Sequence, residues 1–108
     1  MQSMPTVTHL QFLVLGLLLD EEQPGRVIRQ VLARYRVKPS GPAFYQMMAR
    51  LEREGLAEGR YEQITVGDQA VTERRYRITA AGATRWKKAR AFYEQVGQAA
   101  RHTKWSDA

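Results

Sequence analysis

The hydrophobic period of this chain changes at Gly55 and changes back at Thr79, and few folds accommodate that succession. Before Gly55, apolar residues recur at three- and four-residue steps, the spacing of a one-sided helix. Tyr61 to Val66 and Val71 to Ile78 are instead rich in β-branched and aromatic residues, with Gly67-Asp68-Gln69-Ala70 between them. This predicts a β-hairpin. Its turn lacks the tight Asn-Gly dipeptide, so a mobile tip is expected. Thr79 then supplies a cap, and helical spacing resumes from about Ala80 to at least Ala100.

The stretch before the first change, Ser40 to Leu56, reads as one short helix with both ends marked. Ser40 can cap its first turn, and Gly55 sits where a left-handed residue would end it. Phe44, Met48 and Leu51 share an apolar face, while Gln46, Ala49, Arg50 and Arg53 point elsewhere. Further back, Thr8 and Gln11 have the spacing of a capping box, and Val7 and Phe12 flank them as a hydrophobic staple would. A helix is expected from about His9 to Leu19, with almost no polar face. A domain of 108 residues cannot easily cover such a helix all round, so a second subunit is the economical cover. After a polar turn from Asp20 to Gln23, Pro24 suits the first position of a second helix. Ile28, Val31, Leu32 and Tyr35 form the stripe of that helix, and Arg26, Arg29 and Arg34 face water. Val37 to Pro39 is extended, because the residue before proline avoids helix.

Along the last helix, Ala83, Trp86, Ala89 or Arg90, Tyr93, Val96 and Ala100 recur at helical steps, and nothing remains in the chain to receive that seam. Met1 to Thr6 reads as a loose arm and His102 to Ala108 as a frayed tail. Three helices, a two-stranded wing and a long final helix make an α+β, mainly α fold. It is a winged helix-turn-helix over residues 8–78 followed by a dimerisation helix over 79–101.

Composition limits the chemistry. With no cysteine, disulfides, thiolate catalysis and Cys-ligated zinc are excluded, and a reducing cytoplasm fits. The longest apolar run, Phe12 to Leu19, is far short of the ~20 residues of a membrane helix. It also lacks the flanks of a signal peptide. His9 and His102 lie near opposite ends, no motif places a histidine beside a serine, and no phosphate-cradling glycine loop is present. No enzymatic activity, metal or cofactor is expected. The net charge of +6 favours a polyanionic partner. Ser40 to Ile78, however, carries six basic and six acidic residues, so the excess lies before it, at +2, and after it, at +4.

Two stretches resemble the PadR family of transcriptional regulators. Phe44, Tyr45, Met48, Arg50, Leu51, Glu52, Gly55 and Leu56 match that family's Leu-Tyr-x-x-Leu-x-Arg-Leu-Glu-x-x-Gly-Leu helix. Tyr76-Arg-Ile-Thr-Ala-Ala-Gly82 matches its Tyr-x-Leu-Thr-x-x-Gly motif. Phe12 to Leu18 fits the family's leading helix, and Gly25 fits the glycine that opens its second helix. The resemblance spans Leu10 to Glu94. Arg26, Pro42 and Ala43 depart from the family pattern, at positions where an aromatic, a glycine and a hydroxyl residue are common. The resemblance implies a homodimeric DNA-binding regulator whose last helix packs on its partner. In some members a flat aromatic ligand sits between the subunits, at a slot where Tyr93 aligns.

In a winged helix the third helix reads the major groove and the wing touches the neighbouring backbone or minor groove. The candidate DNA-contacting residues are therefore Ser40, Ala43, Tyr45, Gln46 and Arg50, with Arg74 and Arg75 on the wing. Gln46 either bonds an adenine edge or is simply solvated, and Ala43 can touch a thymine methyl. Tyr45 and Arg50 suit phosphate. Arg74 and Arg75 reach phosphate or a narrow minor groove, or merely solvate the open hairpin face. Phe12, Trp86, Ala89, Tyr93 and Val96 are the candidate ligand or dimer-interface residues. Their rings either stack on a planar aromatic effector or fill the dimer core. The function read from the sequence is a DNA-binding transcriptional regulator, a repressor acting on a pseudo-palindromic operator. The alternative is a winged-helix module that binds protein through the same face.

Overall fold

A computed structural model describes residues 7–102. The elements are α1 (His9–Leu17), β1 (Gln23–Pro24), α2 (Gly25–Arg34), α3 (Gly41–Arg53), β2 (Ala57–Val66), β3 (Gln69–Ile78) and α4 (Ala80–His102). The loose arm expected over Met1 to Thr6 lies outside the described residues. So does the expected tail beyond His102, the residue that ends α4.

Helices α1, α3 and α4 begin where the sequence supplies a side-chain cap, whereas α2 starts after Pro24 with none. The Thr8 hydroxyl accepts from the Gln11 amide at 3.1 Å, and the Gln11 side-chain oxygen accepts from the Thr8 amide at 3.0 Å. This is the reciprocal capping box, and it allows Gln11 to be buried without an orphaned polar atom. The Ser40 hydroxyl accepts from the Ala43 amide at 3.2 Å. The helix it caps buries Phe44, Met48 and Leu51 completely. Such burial stabilises the fold by about 1.5–3 kcal/mol per side chain. α3 stops at Gly55, whose φ of 73° lets the Leu56 amide turn back to the Leu51 carbonyl at 2.9 Å. α2 ends through the same motif, with Val37 donating to Leu32 at 3.0 Å. There the left-handed residue is Arg36, at φ 63°.

Four expectations are corrected. Pro24 does not start α2: it and Gln23 form a short strand against Arg75 and Tyr76, so the sheet has three antiparallel strands in the order β1-β3-β2. A proline is tolerated there because that strand is an edge and needs no second amide donor. The hairpin turn is tight, since Val66 pairs with Gln69. Gly67, at φ 63°, takes the first central position as in a type II′ turn, so no Asn-Gly is needed. Helix α1 ends at Leu17, two residues early. Tyr35 lies just beyond the end of α2 and is 77% exposed, so it leaves the apolar stripe.

The core lies where α1, α2, α3 and the base of the sheet meet, with Leu56 from the turn and Ala57 and Tyr76 from the strands. Helix α4 closes it on one side. The face of α1 expected to need a second subunit is partly covered by α4 of the same chain. Phe12 stacks on Trp86 with centroids 5.5 Å apart and planes 7° apart, and Tyr93 meets the Phe12 edge at 5.5 Å. No helix among the described residues is long and apolar enough to cross a membrane.

Candidate nucleic-acid interface

The exposed face of α3 is built by subtraction. With Phe44, Met48 and Leu51 turned inward, Ala43, Gln46 and Arg50 fall together on the open side and Ser40 precedes them. The first turn, Gly41-Pro42-Ala43, presents no charge. The Arg29 guanidinium lies beside it, 5.9 Å from the Phe44 ring centre, and a side chain at Gly41 would meet it at 3.7 Å. Arg50 is exposed and pairs with Glu54 at 3.3 Å, a weak pair on an open surface. Tyr45 is 41% exposed at the margin of the face, its ring edge-on to Phe44 at 5.0 Å. Its hydroxyl passes so near Gly25 that a side chain there would come within 3.0 Å of it. The structure thus brings Ser40, Ala43, Gln46 and Arg50 onto one open surface, with Tyr45 at its edge.

The wing arginines are placed differently from the solvated or phosphate-ready cations expected. Arg74 lies on the face of the sheet toward α3, where its guanidinium pairs with Glu52 and rests on the Tyr61 ring at 4.6 Å. The Glu52 hydrogen bond holds the Arg74 pKa above its usual value. Gly59 makes room for this pair, because a Cβ there would fall 2.6 Å from Glu52 Oε1 and 2.7 Å from Arg74 Nε. Arg75 lies on the other face with three carboxylates around it, Glu62 at 3.1 Å, Glu22 at 3.3 Å and Glu73 at 3.5 Å. The register explains the crowd. Arg60 sits opposite Arg75 and Glu62 opposite Glu73, so like charges face across the ribbon and opposite charges meet diagonally and along the strands. Arg60 and Glu22 join at 2.8 Å, a bond that keeps the Glu22 pKa low, and Arg26 closes the lattice on Glu73 at 3.2 Å. Sequence reasoning missed Glu22, Glu52, Glu62 and Glu73 as governors of these arginines. The hairpin register, which follows from the tight turn, would have revealed Glu62 and Glu73, whereas Glu22 and Glu52 reach these arginines from the turn before β1 and from α3.

The outer part of the wing is acidic. From Tyr61 to Glu73 there is no lysine or arginine, while Glu62, Asp68 and Glu73 are present. Its outer end exposes Val66 and Val71. A cleft of about 780 Å³ separates it from α3, bordered by Tyr45, Ala49, Glu52, Tyr61, Arg74 and Arg26.

The candidate interface on α4 is divided. Ala89 is fully buried within its own chain, so it belongs to the protomer core rather than to an open seam. Trp86 is half-buried against Gly16 and Phe12. Tyr93 and Val96 are 44% and 50% exposed. A shallow depression of about 460 Å³ runs along Phe12, Tyr93 and Gly97. Among the described residues no cluster of histidine and carboxylate side chains could hold a metal ion.

No protein-family model and no curated protein sequence matches the chain. Solved structures do. A PadR-like transcription factor from Bacteroides fragilis superposes with a TM-score of 0.71 at 20% identity, covering 86% of this chain and 87% of that one. A PadR family regulator from Clostridium difficile gives a TM-score of 0.73 at 13% identity, covering 85% and 94%. The PadR protein of Bacillus subtilis, in complex with operator DNA, gives 0.59 at 19% identity, covering 74% of this chain and 45% of that one. In its helices, its wing and its last helix, the chain has the winged-helix fold of the PadR-like transcriptional regulators.

Proposed function

We propose that the chain is a DNA-binding transcriptional regulator, a repressor that acts as a homodimer on a pseudo-palindromic operator. The observation that carries the reading is the open face of α3. It offers an uncharged first turn, the Gln46 amide and flanking arginines, at the end of a helix-turn-helix whose fold recurs in a regulator bound to operator DNA. In this reading Gln46 and Ala43 meet base edges, while Ser40, Tyr45 and Arg50 hold phosphates. Arg29 and Lys38, which hold no carboxylate among the described residues, add to the backbone contacts from the flank of α3. Arg74 and Arg75 reach DNA only by giving up Glu52 and the Glu22, Glu62, Glu73 group.

The winged helix occupies residues 8–78, and 79–101 form the dimerisation arm, with Tyr93 and Val96 as its open contacts and Phe12, Trp86 and Ala89 beneath them. Two-fold symmetry then sets the half-sites about 34–36 Å apart, or a multiple of that. A planar aromatic effector stacked against Phe12, Trp86 and Tyr93 would change the spacing of the two reading helices and release the operator. Quenching of Trp86 fluorescence by planar dyes, absent in a Trp86→Phe protein, tests the effector.

In-vitro selection of bound DNA followed by sequencing tests the central claim, and an inverted repeat with the stated spacing is the expected result. A second reading, a protein-binding winged-helix module, is favoured by the acidic outer part of the wing and by the zero net charge from Ser40 to Ile78. Absence of salt-sensitive binding to random-sequence duplex at low salt decides for that module and against the regulator.

A further inference from the structure

Two clefts meet at Arg26. One lies between α3 and the wing. The other, of about 420 Å³, is bordered by Arg26, Arg29 and Lys38 with Gln30, Ala33 and Val37, and no carboxylate lines it. Lys38, Arg29 and Arg26 therefore form a cationic row that runs from the turn before α3 toward the wing. The row is interrupted at its wing end. Arg26 is bonded by Glu73 at 3.2 Å, across 47 residues of sequence, and Glu73 is itself only 12% exposed. The carboxylate is held in place from its other side by Arg75 at 3.5 Å. Arg26 is 57% exposed, so its guanidinium is otherwise free to turn to solvent or to a phosphate.

We propose that Glu73 is a specificity-determining residue that withholds Arg26 from nucleic-acid phosphates, keeping sequence-independent binding weak. The physical logic is counterion release. Each cation that neutralises a phosphate adds to affinity for every sequence alike and steepens the salt dependence, without improving discrimination. A carboxylate already paired with that cation must be displaced first. The phosphate contribution of Arg26 is then nearly cancelled on any duplex, and base contacts from α3 make up a larger share of the total. The same logic extends to Arg74 and Arg75, which are held by Glu52 and by the Glu22 and Glu62 pair. Glu73 is the clearest case because it is the carboxylate on Arg26.

The inference rests on the DNA-binding reading, and the test separates the two. Binding to a random-sequence duplex is measured over a range of salt for the wild type, Glu73→Gln, Arg26→Gln and the double variant, with Asp68→Asn as a control. Asp68→Asn removes the same charge from the wing but frees no cation. The expected result is that Glu73→Gln binds random duplex roughly threefold or more tighter, with a log–log salt slope steeper by about one. Arg26→Gln alone leaves the slope nearly unchanged, and in that background Glu73→Gln no longer steepens it. A slope equal to wild type in Glu73→Gln, a gain that survives without Arg26, or an equal steepening by Asp68→Asn overturns the role of Glu73. Absence of salt-dependent binding by the wild type and by Glu73→Gln alike overturns the DNA-binding reading instead. Circular dichroism checks that each variant is folded, and Glu73→Thr, a strand-compatible change, repeats the test if the glutamine variant is not.

Discussion

Gly82 shows how one residue of a short motif can carry a structural requirement. A Cβ there would stand 2.0 Å from the Leu56 carbonyl oxygen and 2.9 Å from its carbon, both backbone atoms that cannot move aside cheaply. Gly82→Ala should lower stability by about 3 kcal/mol, a fall in melting temperature of roughly 15 °C. Gly55 is a glycine for a different reason. Its φ is 73° and nothing lies within 4 Å of an added Cβ, so Gly55→Ala should cost only the left-handed backbone, about 1 kcal/mol. Thermal melts of the two variants side by side separate the steric cause from the conformational one. Tyr76, 1% exposed, is a third such residue: burial pushes its pKa up to about 12. The folded state favours the protonated phenol, so this contribution is complete below the ordinary tyrosine value of about 10 and is lost as pH rises from there to 12. Tyr76→Phe should flatten the alkaline loss of stability over that window.

At the level of elements, Thr79 joins the end of α3 to the start of α4. Its hydroxyl donates to the Gly55 carbonyl at 2.6 Å and accepts from the Gly82 amide at 2.9 Å, while its own amide donates to Leu56 at 3.2 Å. One side chain thereby fixes how the long helix leaves the sheet. Thr79→Ala should destabilise by about 1–2 kcal/mol, as loss of an N-cap does. Thr79→Ser should recover most of it, which chemical denaturation of both variants can check. The motif from Tyr76 to Gly82 is thus a core tyrosine, a cap and a close approach in sequence. Helix α3 is organised as simply: its three buried side chains orient it and leave its other face open to solvent. Arg50→Ala should weaken binding to all duplexes and lower the salt slope by about one, because a phosphate contact carries no sequence information.

For the whole molecule, the distribution of burial along α4 is decisive. Up to Ala89 the helix is anchored in the protomer core; beyond it Tyr93 touches Phe12 of α1 only by a ring edge, and Tyr93 and Val96 are exposed. An extended helix with little tertiary support gains little from propensity alone, so a partner helix is the natural support for the outer half. If α4 pairs with a second copy as proposed, Val96→Glu should weaken that dimer at least tenfold while leaving the winged helix folded. Light scattering during gel filtration, with circular dichroism as the control, reads both.

The sequence by itself determined the succession of elements, because capping residues, hydrophobic period and helix-ending glycines act within a few residues of one another. The paired caps at Thr8 and Ser40, the buried face of α3 and the start of α4 were legible for that reason. Only the tertiary structure decided the third strand at Gln23–Pro24, the burial of Ala89 inside its own chain and the commitment of Arg26, Arg74 and Arg75 to carboxylates. These depend on register and on contacts between residues far apart in sequence, such as Arg26 and Glu73 at a separation of 47. A count of charges along the wing shows equal numbers of each sign but not which of them meet. The pairing of β2 and β3, together with the packing of Glu22, Arg26 and Glu52 against the sheet, settles that.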